Sequence, residues 1–101
     1  MFKGTTPKHT FEVDTDTSNI KEVKIIYSQN DKEVLCKRTT DCTIEPGIIS
    51  TRLTQEDTFK FVGNTCVSII IRALTFGGDA LITEDPIIVS VRECCDDEVL
   101  V

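Results

Sequence analysis

Cys66-Val67-Ser68-Ile69-Ile70-Ile71-Arg72-Ala73-Leu74 is the stretch that decides the fold. Its β-branched content favours extended backbone, and alternation with period two puts Val67, Ile69, Ile71 and Ala73 on one buried face. Ser68, Ile70, Arg72 and Leu74 make up a mixed, partly covered face. Gly77-Gly78-Asp79 follows as a turn, where glycine supplies the positive φ that reverses a hairpin. Ile87-Ile88-Val89-Ser90-Val91 then returns as a second apolar strand. Pro86, just before it, cannot donate to a ladder and so belongs at a strand start or an edge. On the other side, Leu53 leads into Thr54-Gln55-Glu56-Asp57-Thr58. A hydroxyl at Thr54 and a carboxylate three residues later have the spacing of a capping box. That spacing predicts one short helical turn near 54–59, closed by Gly63-Asn64.

Toward the N-terminus the same reasoning gives more strands. His9-Thr10-Phe11-Glu12-Val13 alternates, with Phe11 and Val13 facing inward. Asp14 to Asn19 is rich in turn formers. Ile20, Val23 and Tyr27 match helical spacing, but the β-branched run Val23-Lys24-Ile25-Ile26-Tyr27 favours a strand, predicted to run through Gln29. Asn30-Asp31 makes a tight turn into Glu33-Val34-Leu35-Cys36-Lys37. Cys42-Thr43-Ile44 is a brief strand, Glu45-Pro46-Gly47 a type II turn, and Ile48 to Leu53 a strand with Ile49 and Leu53 on one face. Short strands with a turn signal every 8–12 residues predict an all-β, immunoglobulin-like antiparallel sandwich of about seven or eight strands. The expected division is a polar arm at 1–8, a sandwich at 9–92, and an acidic tail with an apolar tip at 93–101. That tail reads either as a solvated end or as a hook whose tip docks in a neighbouring subunit.

The chain has 101 residues, enough for one domain. Its 17 acidic and 11 basic residues give a net charge of −6, which repels phosphate backbones, so no nucleic-acid partner is expected. No apolar run approaches the roughly 20 residues that span a membrane, and no membrane partner is expected. The opening Met1-Phe2-Lys3-Gly4 lacks the apolar core of a signal peptide, which predicts synthesis and retention in a cytoplasm unless an assembly carries the protein out. The five cysteines are then expected as thiols. Cys36 and Cys66, inside apolar strands, read as small core residues; Cys42 lies beside a turn and Cys94-Cys95 in the acidic tail.

Leu53-Thr54-Gln55-Glu56-Asp57-Thr58, Gly63 before an apolar strand, the Gly78-Asp79 turn and the closing Val89-Ser90-Val91 share one layout. It resembles the small β-sandwich modules of tailed-phage and prophage structural proteins, among them the N-terminal domain of upper baseplate proteins. Gly4-Thr5-Thr6-Pro7 through Phe11 also resembles short proteins encoded in prophages of gut Firmicutes. The resemblance implies a virion component that assembles with other virion proteins and as a homo-oligomer. The chain departs from the baseplate proteins in lacking their long C-terminal extension, so an accessory of head, neck or tail fits its length better.

No catalytic, cofactor-binding or metal-ligating set is expected. His9 is the single imidazole, with no partner in sequence to orient it as a base, and reads as a strand residue. Asp14 and Asp16 alternate like calcium ligands but lack the glycine and distal glutamate of an EF-hand. Zinc would need a CxxC or a histidine pair, and neither occurs. Glu56-Asp57 is explained by capping, and adjacent Cys94 and Cys95 are poorly placed to bridge each other. The alternative to an assembly protein is a ligand- or carbohydrate-binding module, against which stands the absence of Trp and the single Tyr27.

Overall fold

In the computed structural model, which describes all residues from Met1 to Val101, the decisive stretch is the backbone of the larger of two antiparallel sheets. The strands are β1 (Lys8–Glu12), β2 (Ile20–Gln29), β3 (Lys32–Arg38), β4 (Cys42–Glu45), β5 (Ile48–Arg52), β6 (Thr65–Thr75), β7 (Ala80–Ile82) and β8 (Ile87–Val91), with one short helix, α1 (Gln55–Phe59), between β5 and β6. The small sheet has the order β1-β5-β4. In the large sheet β3-β2-β6 run side by side, and both β7 and β8 pair with β6. Since β2 already occupies one edge of β6 opposite the same residues, β7 and β8 lie end to end along the other. This is the immunoglobulin order, with β1-β5-β4 in the places of strands B, E and D, and β3-β2-β6-β7/β8 in those of C′, C, F and G.

Local chemistry sets these elements. Asn30 and Asp31 both take positive φ, the pair of left-handed residues a two-residue hairpin needs between β2 and β3. Gly47 at φ 73° closes the turn after Pro46. Thr54 caps α1 as its spacing predicts: Thr54 Oγ1 accepts from the Asp57 N–H at 3.1 Å, and Asp57 Oδ2 accepts from the Thr54 N–H at 2.9 Å. The core lies between the sheets and is built from Tyr27, Ile25, Ile49, Leu53, Val67 and Ile69, with Phe61 and Val91 closing it.

The apparent break between β7 and β8 is a two-residue insertion. Arg72 faces Ile82 and Ile69 faces Ile87, so four residues on the edge strand span the gap left by two on β6. Thr83 bridges the gap. Its N–H donates to the Ile71 carbonyl at 3.0 Å, and its hydroxyl accepts from the Ile71 N–H at 2.7 Å in place of a peptide carbonyl. Pro86 sits at the end of this insertion, just before β8, where it costs no ladder bond.

Threonine hydroxyls perform the same substitution elsewhere. Thr17 Oγ1 donates to Glu45 O and accepts from the Gly47 N–H, fixing the loop after β1 to the β4–β5 turn. Thr39 Oγ1 accepts from the Val23 N–H at 2.9 Å. Thr58, fully buried, accepts from Gly4 and donates to Thr5 O, which draws the N-terminal arm onto α1.

Three details differ from the sequence reading. Cys66 is exposed rather than a core residue, because strict alternation with buried Val67 turns it to the outer face. Phe61, read as part of a β-prone run, lies in the turn after α1 and is a central core side chain. Met1–Lys3, read as a polar lead-in, runs parallel to the end of β8: Phe2 bridges Arg92, and Met1 packs against the core.

Candidate functional site

The two sheets do not meet along one side. There the outer edge of β1 faces the edge strand β7–β8 across an open groove of about 410 Å³. Its floor is the margin of the buried core, Phe11, Ile20, Ile49 and Ile71, and its far wall carries Leu81 and Ile87. A shallower continuation runs on past Lys8, His9 and Val89. Along β1, and along part of the opposite lip, the backbone is unpaired. The Val13 N–H donates to Gly47 O and Pro7 O accepts from Leu53, so the odd residues of β1 turn toward β5. The alternation of an antiparallel ladder then directs the peptide groups of Lys8, Thr10 and Glu12 away from the sheet. On the other lip, the Ser90 carbonyl and both Arg92 peptide groups are taken up by Met1 and Lys3, while the peptide groups of Ile88 remain outside the ladder.

Along this lip the side chains are apolar and open to solvent: Leu81 is 38% exposed, Ile82 62%, Ile87 36% and Ile88 57%. The charge around the groove is uneven. Glu12 and Asp14 on the β1 side and Glu84 opposite line the deeper end, with no lysine or arginine among its lining residues. Lys8 lies at the shallow end.

A second polar assembly is enclosed between the sheets. His9 Nδ1 lies 2.7 Å from the hydroxyl of fully buried Tyr27. Burial, together with the N-terminal ammonium, lowers the His9 pKa below 6.5 and so favours the neutral ring at this contact. Burial likewise raises the Tyr27 phenol far above its ordinary range, with Cys42 and Asp57 adding to the effect. Cys42 is itself raised, first by burial. Beside them, Lys37 donates to Asp57 Oδ2 at 2.6 Å and ties β3 to α1. Burial alone raises the Asp57 carboxyl, but the Lys37 ammonium and the Thr54 N–H outweigh it and hold it below the usual carboxylate value. These bonds satisfy one another internally: no buried side-chain polar atom lacks a partner. The pairing reads as structural glue between β1, β2, β3 and α1.

The sequence-level candidates therefore fall in different places. His9 is bonded to Tyr27, a partner far away in sequence, and Tyr27 is buried, so it offers no aromatic platform to a sugar. Asp16 caps the 3-10 turn at Thr17–Asn19 by accepting from the Ser18 N–H and hydroxyl, which lowers its pKa, while Asp14 lines the groove. Glu56 and Asp57 occupy the first turn of α1. Cys95 is exposed and Cys94 half-buried. The tail turns back onto α1, where the Gln55 side chain holds both peptide groups of Leu100, at 2.7 and 2.8 Å, and leaves the Leu100 and Val101 side chains in solvent. The groove was not foreseen, since it arises from which edges stay unpaired. No family model matches the chain, and neither a curated protein nor a solved structure matches it.

Proposed function

We propose that this chain is a non-enzymatic structural or accessory protein of a tailed-phage or prophage particle, in the tail, baseplate, neck or head, acting through protein–protein assembly. The observation that carries the reading is the exposed row Leu81, Ile82, Ile87 and Ile88 along an open sheet edge. Soluble β domains usually shorten, charge or cover such an edge, because unpaired peptide groups beside apolar side chains recruit another chain. An edge left apolar fits a domain that is covered by a neighbour in its working state. The virion context comes from the resemblance carried by Leu53–Thr58, Gly63, Gly78-Asp79 and Val89-Ser90-Val91. In this reading the protein is made in the bacterial host cytoplasm and resides in the particle, in several copies beside other virion proteins. The net charge of −6 suits protein partners rather than packaged nucleic acid.

Mass spectrometry of purified particles, with light scattering of the isolated chain, tests the reading. Stoichiometric presence in particles is expected. A strictly monomeric chain that is absent from particles overturns it.

A further inference from the structure

The groove between β1 and β7–β8 has a definite length, pairing capacity and charge. From these we infer that it seats an extended apolar segment of a different protein, carrying lysine or arginine at one end and added as an extra strand along β1. The inference rests on the assembly reading above and names the chemistry of the partner. The five residues of β1 span about 17 Å at the rise of a strand. Lys8, Thr10 and Glu12 direct their peptide groups outward along that length, which is the pairing that strand addition uses. Immunoglobulin sandwiches place strand A beside the strand in the position of β1, and no strand of this chain lies there. An added strand would turn alternate side chains onto Phe11 and Ile71 and the others to solvent.

Charge selects the occupant. Glu12, Asp14 and Glu84 line the deeper end on both walls, with no base among its lining residues, while at the opposite end Lys8 is met only by Glu12. A basic group is thus favoured at the deep end of the incoming strand. A second copy of this chain is a poor fit. Its apolar tip Val99-Leu100-Val101 is preceded by Asp96-Asp97-Glu98, which would bring like charges toward the carboxylates, and two copies each carry −6. The partner is accordingly a different polypeptide.

The test selects a displayed library of random nine-residue peptides on the immobilised full chain. Enriched peptides are expected to alternate apolar and polar residues and to end in lysine or arginine. Synthetic copies should perturb amide resonances of residues 8–14 and 81–89. They should also lose about tenfold in affinity on E12K/E84K, the order expected from two exposed ion pairs. Both replaced side chains are exposed, so the variant should keep the wild-type Tm. No enrichment, an acidic or neutral consensus, unchanged affinity on E12K/E84K, or resonance shifts confined to α1 and the tail each overturn the inference. So does a homodimer that E12K/E84K dissociates, since the occupant would then be a second copy. Presence in purified particles without peptide binding removes the groove proposal alone. Peptide binding by a chain absent from particles supports the groove and removes the virion reading.

Discussion

Replacing Asp57 with asparagine asks whether α1 is held to β3 by charge or by shape. The carboxylate accepts from Lys37 at 2.6 Å and from the Thr54 N–H at 2.9 Å, through the same oxygen. The Lys37 and Asp57 side chains are only 12% and 11% exposed, so water replaces little of what is lost. Asparagine keeps the volume and one acceptor but leaves the ammonium without its counter-charge. Hydrogen bonds to charged groups contribute about 1.5–3 kcal/mol, and at this depth the upper part of that range applies, about 2–3 kcal/mol. For a domain near this size each kcal/mol moves Tm by about 4–8 °C, so D57N should melt about 10–20 °C below wild type. Urea unfolding of wild type, D57N, K37M and the double variant measures the coupling, which should be at least about 1 kcal/mol for groups in contact. The pH dependence gives an independent check. The folded carboxyl titrates below its ordinary 3.8, so the unfolded chain binds more protons between the two values. The stabilisation is therefore full above the unfolded value and is lost as pH falls through the folded one, where wild type and D57N converge. Additive single effects, or a difference that stays constant from neutral to strongly acidic pH, would refute the reasoning.

The remaining expectations concern other residues. Because burial lowers the His9 pKa, its contribution is complete above pH 6.5 and declines as pH falls through that region. The urea midpoint should drop between neutral and mildly acidic pH in wild type, and less so in H9Q. Gly4 has φ +80°, and a Cβ there would lie 2.8 Å from the Phe59 ring, so G4A should cost about 1–3 kcal/mol by thermal melt. Removing the fully buried Phe61 ring in F61A should cost about 3–5 kcal/mol in urea, on the scale of a lost core aromatic. Among the thiols, exposed Cys66 and Cys95 should alkylate well before Cys42, whose pKa burial raises; peptide mass spectrometry over time reads the order.

What could be read from the residues was what short-range chemistry decides. The alternation of Val67, Ile69 and Ile71 against Ser68 and Arg72 gave β6 and its buried face. The left-handed pair Asn30-Asp31, the turn at Pro46-Gly47 and the cap at Thr54 located reversals that the structure keeps. Cys66 was misplaced although the same alternation, applied one residue earlier, turns it outward. What could not be read depends on partners distant in sequence. Tyr27 meets His9 and Gln29 holds both peptide groups of Val62, pairings no local pattern encodes. The short strand Ala80–Ile82 was hidden by the insertion through Pro86, which makes one edge strand look like a loop and a strand. The groove was invisible for the same reason, since an unpaired edge is defined only by what fails to lie beside it.

The parallel pairing of the first residues with the end of β8 has a mechanical side. Met1 donates to Ser90 O at 2.8 Å, Arg92 to Met1 O at 2.8 Å, and Lys3 to Arg92 O at 3.0 Å. Because the two segments run in the same direction, tension applied at Met1 and beyond Arg92 pulls them past each other lengthwise. The bonds are then strained together, not unzipped in turn. A pull on the two ends of the domain is thus taken up in shear by this clasp before it reaches the sheets.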